Sequence, residues 1–190
     1  PFAEWAPDQS TVAGVAAEAK GVIYIGGRYA PDKDFIALKA GASIGGTAIG
    51  GAAYHQDGVN VRTFVGDEGA LYEIVARTPQ DVSKIGGYAA NPDWVWSFEQ
   101  FGTSIFATAR GVPNVQYYTF GTSTRFADLT GPGASDGVFR IREHLFSGKT
   151  FTMKYSDFNN PFNWSIGVGA SVAGSFDLPH DGGLFVRGFG

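Results

Sequence analysis

The chain has 190 residues, 44% hydrophobic and 17% charged, so it can bury a core and is not expected to be globally disordered. It contains no cysteine, which excludes a disulfide framework and a thiolate metal site. The net charge is −4 without a cluster of Lys and Arg, which argues against a protein that grips nucleic-acid phosphates. No apolar run of about 18 residues is present that would span a membrane as a helix.

The N-terminal residues 1–20 are predicted to form an arm. Phe2 and Trp5 are apolar anchors that need a neighbour to cover them. Ser10 is placed to cap a short alanine-rich helix over residues 11–20. The remaining residues, 21–190, are predicted to form an all-β domain, because the hydrophobic period changes to two and glycine and aromatic residues are abundant.

Within this domain, alternating apolar segments bounded by turn residues predict the strands. A polar turn is expected at 31–34 and a hairpin turn at 67–69. The principal predicted strands are 22–25, 35–40, 59–65, 70–75, 94–98, 115–120, 138–145, 150–155 and 183–188.

The segment 41–51 is rich in glycine and nearly uncharged, which predicts a flexible loop or a flat strand. It lacks the βαβ context of a dinucleotide-binding loop. Small residues also let another backbone approach closely, as at a subunit contact. We therefore predict subunit contacts at six residues of this segment and the arm: Phe2, Trp5, Gly45, Gly46, Gly50 and Gly51.

Two stretches look like copies of one another, residues 98–108 and residues 144–154. Each reads as an apolar strand, a tight glycine turn and an alternating strand. A repeat of about 45 residues built from short strands is typical of a β-propeller blade. Ten to twelve strands would give about two and a half blades, and a closed propeller needs about four or more. We therefore expect part of a larger propeller, in a fragment of a longer protein; a sandwich or barrel of similar strand count is the alternative.

No catalytic, cofactor-binding or metal site is predicted, and the chain is not expected to be an enzyme. The segment 147–150 resembles the end of a phosphate-binding loop, but Glu143 stands where that loop needs glycine, so a hairpin turn is favoured. His55, His144 and His180 are scattered and lack metal-ligand spacing.

The carboxylates and exposed-strand aromatics also have structural explanations. Most of the Asp and Glu residues sit beside turns, where side-chain hydrogen bonds to the backbone explain them better than acid–base catalysis. Alternating aromatics more often fill the space between sheets than stack on sugars or bases. The residues in question are Asp32, Asp34, Asp67, Glu68, Asp157 and Asp181, and Trp94, Trp96, Tyr117, Tyr118 and Phe120.

Three stretches carry a resemblance to a known group of proteins: residues 64–74, residues 96–102, and residues 156–164 followed by 176–183. Their order is similar to that in β-propeller structural proteins of tailed bacteriophages, namely the packaged-DNA stabilisation, tail accessory and tail nozzle proteins.

The resemblance implies a virion protein, made in the host cytoplasm and located in the tail or at the head–tail interface. It implies a ring of subunits, commonly six, that contacts the portal or adaptor and other tail proteins. Double-stranded phage DNA would pass through the lumen without sequence-specific binding and without any membrane partner. The competing hypothesis is a carbohydrate-binding or glycoside-hydrolysing propeller, such as a tail fibre part or a sialidase-like protein.

Overall fold

A computed structural model describes residues 22–25, 28–31 and 41–178. The chain divides into two units, Pro1–Ala37 and Leu38–Gly190, which are considered separately. The described residues form fourteen strands and no helix, so the prediction of an all-β chain is confirmed for them. Accordingly, this part of the protein has no helix long and apolar enough to cross a membrane.

The first unit contributes one antiparallel hairpin, β1 (Val22–Ile25) and β2 (Arg28–Pro31). Pro31, the first residue of the predicted polar turn, is the last residue of β2 and pairs with Val22; the remainder of that turn, 32–34, lies outside the described residues. Proline is tolerated at such a strand terminus. The predicted arm, its short helix and the 20/21 domain boundary lie outside the described residues, as does the predicted strand 35–40.

The second unit contains three four-stranded antiparallel sheets, each a meander of consecutive strands. The first sheet comprises β3 (Gly50–His55), β4 (Val61–Gly66), β5 (Leu71–Val75) and β6 (Thr78–Asp81). The middle sheet comprises β7 (Ser97–Phe101), β8 (Ser104–Thr108), β9 (Gln116–Thr119) and β10 (Ala127–Asp128). The last sheet comprises β11 (Gly137–Ile141), β12 (His144–Lys149), β13 (Thr152–Tyr155) and β14 (Gly174–Asp177).

The sheets stack face to face, with the middle sheet covered on both sides. Every residue of β8 is buried, and alternate side chains enter different cores. Ile105 packs in the core shared with the first sheet, beside Phe64 and Leu71. Phe106 points to the opposite face and packs with Leu145 of the last sheet.

The two stretches that look like copies in the sequence do not occupy equivalent places in their sheets. The first copy covers β7 and β8, the first two strands of a sheet, whereas the second copy covers β12 and β13, the second and third strands. The equivalent positions are the central residues of each second strand: Phe64, Phe106 and Phe146, at intervals of 42 and 40 residues.

The predicted single strand over residues 138–145 is also wrong, because a hairpin turn divides it. Arg142 adopts a left-handed backbone conformation with φ of 51°, and β11 and β12 pair directly around it. The predicted turn at 67–69 is confirmed as the connection between β4 and β5. The predicted hairpin turn at 147–150 is displaced, because residues 147–149 belong to β12 and pair with β13, and the turn itself lies at residues 150 and 151.

Candidate functional site

The first strands of the three sheets lie side by side and are joined by side-chain hydrogen bonds. Strand β7 lies between β3 and β11. The amide nitrogen Nε2 of Gln100 donates to the backbone oxygen of His55, at 2.8 Å. On the other side, Ser97 Oγ donates to the backbone oxygen of Val138 at 2.9 Å and accepts from its backbone N–H at 3.1 Å. We call β3, β7 and β11 the convergent edge.

The convergent edge carries charges of both signs rather than a cluster of one sign. Burial raises the pKa of the Glu99 carboxyl on β7, although backbone N–H groups of Arg140 and Gln100 oppose the rise. Burial also raises the pKa of Tyr54 on β3, and the charge of Glu99 adds to that rise. The guanidinium of Arg140 lies over the ring of Phe101, 4.6 Å from its centroid. A Glu and an Arg on adjoining strands leave little net charge here.

Two of the predicted contact glycines are required by close approaches within the chain. A Cβ on Gly50 would lie 2.8 Å from the backbone nitrogen of Trp96 and 2.9 Å from its oxygen. A Cβ on Gly51 would lie 2.9 Å from the backbone oxygen of Phe64. These spacings are shorter than side-chain contacts allow, so glycine at both positions has an intrachain reason.

The other two glycines are tied to the first sheet by backbone hydrogen bonds. Gly45 N–H donates to the Tyr72 hydroxyl at 2.9 Å, and Gly46 N–H donates to Asp67 Oδ2 at 2.8 Å. Gly45, Gly46 and Gly51 are nevertheless exposed. A role of these glycines at a subunit interface stays a prediction, as it does for Phe2 and Trp5, which lie outside the described residues.

Asp67 is the buried centre of the turn between β4 and β5. Its carboxylate accepts hydrogen bonds from four donors: Gly46 N–H, Gly69 N–H, Ala70 N–H and the Tyr72 hydroxyl, at 2.7–3.2 Å. It lines a cleft of about 570 Å³ together with Glu68 and Tyr88. Because the carboxylate is occupied by structural donors, it is poorly placed to act as a general acid or base.

The remaining polar candidates are likewise engaged in structure. Asp157 Oδ1 accepts from Val172 N–H and Phe158 N–H, and its Oδ2 accepts from Asn163 Nδ2. These bonds lower the pKa of the Asp157 carboxyl, with that from Val172 contributing most.

Histidines show no sign of metal ligation in the part of the chain that the structure covers. His144 Nδ1 is hydrogen-bonded to the backbone oxygen of Ser156 at 2.8 Å. Within that part of the chain, no group of three or more His, Asp or Glu side chains could hold a metal ion. His180, Asp32, Asp34 and Asp181 lie outside the described residues.

Of the five aromatics predicted to pack between sheets, three are buried in the core between the first and middle sheets: Trp96, Tyr118 and Phe120. Tyr117 packs against the core between the middle and last sheets. Trp94 stacks instead under the guanidinium of Arg110, 3.4 Å from the ring centroid, and Arg110 makes a two-pronged ion pair with Asp136. The packing interpretation is confirmed for the four that join the two cores.

The last sheet bears a row of aromatic rings on the face that points away from the middle sheet. Phe139 stacks on Phe146 with centroids 5.4 Å apart, and Phe146 contacts Tyr155 at 5.6 Å. Phe158 and Phe176 extend the row and are 62% and 46% exposed. This surface was not predicted from the sequence, although the alternation of aromatics across β11, β12 and β13 carries its signal.

Comparisons with known proteins give the chain no relative. No protein-family model matches it, and searches of curated proteins and of solved structures find no match either.

Proposed function

We propose that the chain is a structural virion protein of a tailed bacteriophage, part of a head-to-tail connector or tail nozzle ring that retains and releases genomic DNA. The observation that carries the proposal is the stacking of three consecutive four-stranded meanders with their first strands side by side. Successive blades of a β-propeller have this arrangement, and the resemblance in motif order is to phage propellers.

The repeat supports a larger propeller, of which these sheets would be three blades. Phe64 and Phe106 occupy the same position in the first and middle sheets, and both are fully buried under the sheet that follows. Phe146 holds that position in the last sheet and remains partly exposed. A further sheet of the same repeat, packed on the aromatic row, would complete the burial of Phe146.

The charge of the chain supports a conduit more than a DNA clamp. A protein that grips DNA concentrates Lys and Arg on one surface, and tight binding would oppose sliding. Here the net charge is −4, and the convergent edge carries one acidic residue, Glu99, and one basic residue, Arg140, on adjoining strands. In this proposal the sheets form a rigid scaffold, while the arm and the 41–51 segment contact neighbouring subunits and the portal or tail proteins.

The engaged state of the candidate carboxylates favours a structural role over the glycosidase alternative. Retaining and inverting glycosidases need two carboxyl groups facing a substrate cleft at a set distance. Asp67 instead accepts from backbone N–H groups of its own turn, and Asp157 accepts from the backbone N–H groups of Phe158 and Val172.

Immunogold electron microscopy tests the proposal. An antibody raised against the 190-residue chain should label particles at the head–tail junction or the tail, on virions purified from the host that carries the gene. Antibody pre-adsorbed with the chain is the control. Absence of label, together with absence of the chain from purified particles by mass spectrometry, would refute a virion role.

A further inference from the structure

The β12–β13 hairpin presents two lysines and two hydroxyls on one face. Ser147 pairs with Lys154 and Lys149 pairs with Thr152 across the hairpin, so these four side chains project from the same side of the sheet. That side is the one that Leu145 buries against the middle sheet. The lysines therefore stand at the rim of the space between the middle and last sheets.

A cleft of about 320 Å³ lies at this rim, lined by Lys149, Lys154, Ser147 and Thr150 among others. It adjoins a second cleft of about 390 Å³, because Lys149 and Thr150 line both. Arg110 and Asp136 line the second cleft and neutralise one another as an ion pair. The joined clefts are large enough for a small anion and part of the group that bears it.

The balance of charge in the first cleft is positive. No carboxylate is among its lining residues. Lys154 Nζ donates to the backbone oxygen of Pro132 at 3.1 Å, which holds the ammonium in place without neutralising it. Lys149 makes no ion pair with any described residue. The carboxylate of Asp177 accepts a hydrogen bond from the hydroxyl of Thr152, a lining residue, at 2.8 Å.

The backbone at the cleft is also held in a costly conformation. Thr150 has φ of 57°, in the left-handed region that β-branched residues rarely adopt. At the equivalent position of the first sheet the charge is opposite: Asp67 stands three residues after Phe64, and Lys149 stands three residues after Phe146. Hairpin geometry alone does not require this change from acidic to basic residues.

We propose that this cleft binds an oxyanion of the phosphate type. The ammonium groups of Lys149 and Lys154 supply the charge, and the Ser147 and Thr150 hydroxyls supply further donors. Lysine is a common point-charge ligand of phosphate, and charge-assisted hydrogen bonds are the stronger kind. The site does not depend on the proposed virion role. Free phosphate and a phosphodiester of a DNA backbone present the same chemistry to it.

NMR titration of the isotopically labelled 190-residue chain tests the site. Inorganic phosphate is added at constant ionic strength, and a short DNA duplex is added in a parallel series. Phosphate should give saturable shifts of the amides of residues 147–154. The double variant Lys149→Gln, Lys154→Gln should weaken binding about tenfold or more, because each charge-assisted bond lost is worth about that factor.

Lys84→Gln is the matched control for each single variant, since it removes the same single charge from a lysine that is ion-paired to Asp128 outside the cleft. Its phosphate affinity should stay within about twofold of the parent chain. Each single Lys→Gln variant is also measured, so that the test survives if the double variant folds poorly.

A DNA phosphodiester would be identified as the source of the anion if the duplex causes shifts at a lower concentration than phosphate does and these shifts are lost in the lysine variants. Shifts with inorganic phosphate alone would identify a free oxyanion. Linear shifts without saturation, or equal affinity in the lysine variants and the Lys84→Gln control, would overturn the proposal.

Discussion

Replacing Gly66 by alanine should disturb the packing of a buried tryptophan. Gly66 ends β4, has no left-handed backbone requirement, and faces the indole ring of Trp96 so closely that a Cβ would collide with Cδ1 and Nε1. Trp96 is 2% exposed, and its Nε1 donates to the backbone oxygen of Asp67 at 2.8 Å. The indole must therefore move, and both its packing and this hydrogen bond are affected.

The expected change in the free energy of unfolding combines two costs with one smaller gain. Overpacking costs about 1–3 kcal/mol, and a strained buried hydrogen bond adds about 1 kcal/mol. The lower chain entropy of the unfolded alanine variant offsets about 0.4–1 kcal/mol. We expect a net loss of about 2 kcal/mol, or about 4–8 °C in melting temperature for a domain of this size.

Thermal unfolding followed by circular dichroism measures this loss, and urea unfolding gives the free energy independently. Gly58→Ala is the matched control, because Gly58 lies in the exposed β3–β4 turn, has no left-handed φ, and leaves open space within 4 Å of where the alanine Cβ would stand. It should be neutral or slightly stabilising. Equal stability of the two variants would show that Gly66 is not kept for the close approach of Trp96.

Three further outcomes are expected. Phe106→Ala should lower the free energy of unfolding, measured in urea, by about 4 kcal/mol and Phe146→Ala by about 2 kcal/mol, since only Phe106 is fully buried. Equal losses would contradict the difference in burial. Glu99→Gln should leave stability at neutral pH equal to that of the parent chain or higher, because burial raises the folded pKa of Glu99 and penalises its charged form above that pKa. The difference from the parent should vanish near pH 3, below the unfolded pKa of about 4.3. A lower melting temperature of the variant at pH 7 would refute this sign. Asp157→Asn should hasten proteolysis within residues 158–172 at neutral pH. The folded pKa of Asp157 is lowered, so its charged form stabilises the loop above the unfolded pKa of about 3.9, and this stabilisation is lost as pH falls through the folded pKa. Cleavage of the variant at the parent rate would contradict this prediction.

The all-β class and the turn at 67–69 were predictable because their residues carry local signals. Asp67 and Gly69 form the expected turn, since the aspartate side chain bonds to the backbone N–H groups that follow it. The glycines of 41–51 are predicted to make subunit contacts, whereas the close approaches that the structure shows at Gly50 and Gly51 are to backbone within the chain.

The division of residues 138–145 into two strands was not predictable from local signals. Arg142 and Glu143 form the turn, and neither is a residue type that marks a left-handed turn. The alignment of the repeat failed for a related reason, because every hairpin in a meander shares the same pattern of apolar strand, turn and strand. Only pairing between strands identifies Phe64, Phe106 and Phe146 as equivalent.

The lysine cleft was hidden for a different reason. Lys149 and Lys154 are five residues apart, a spacing without meaning unless the hairpin register is known. Pro132 and Arg110 join them only through the stacking of two sheets. Charge that is dispersed in the sequence is thus concentrated by tertiary structure.

The placement of β8 between two cores sets up a gradient of hydrogen-exchange protection across the molecule. Amides of β8 are covered by neighbouring sheets on both faces and bonded to strands on both sides, so they exchange only when the stack opens as a whole. The outermost strand of the first sheet, β6, contains exposed residues and bonds to β5 alone among the described strands, so its amides exchange through local fraying. A force or protease acting on the three described sheets would therefore remove their strands from the margin inwards, with β8 among the last to yield.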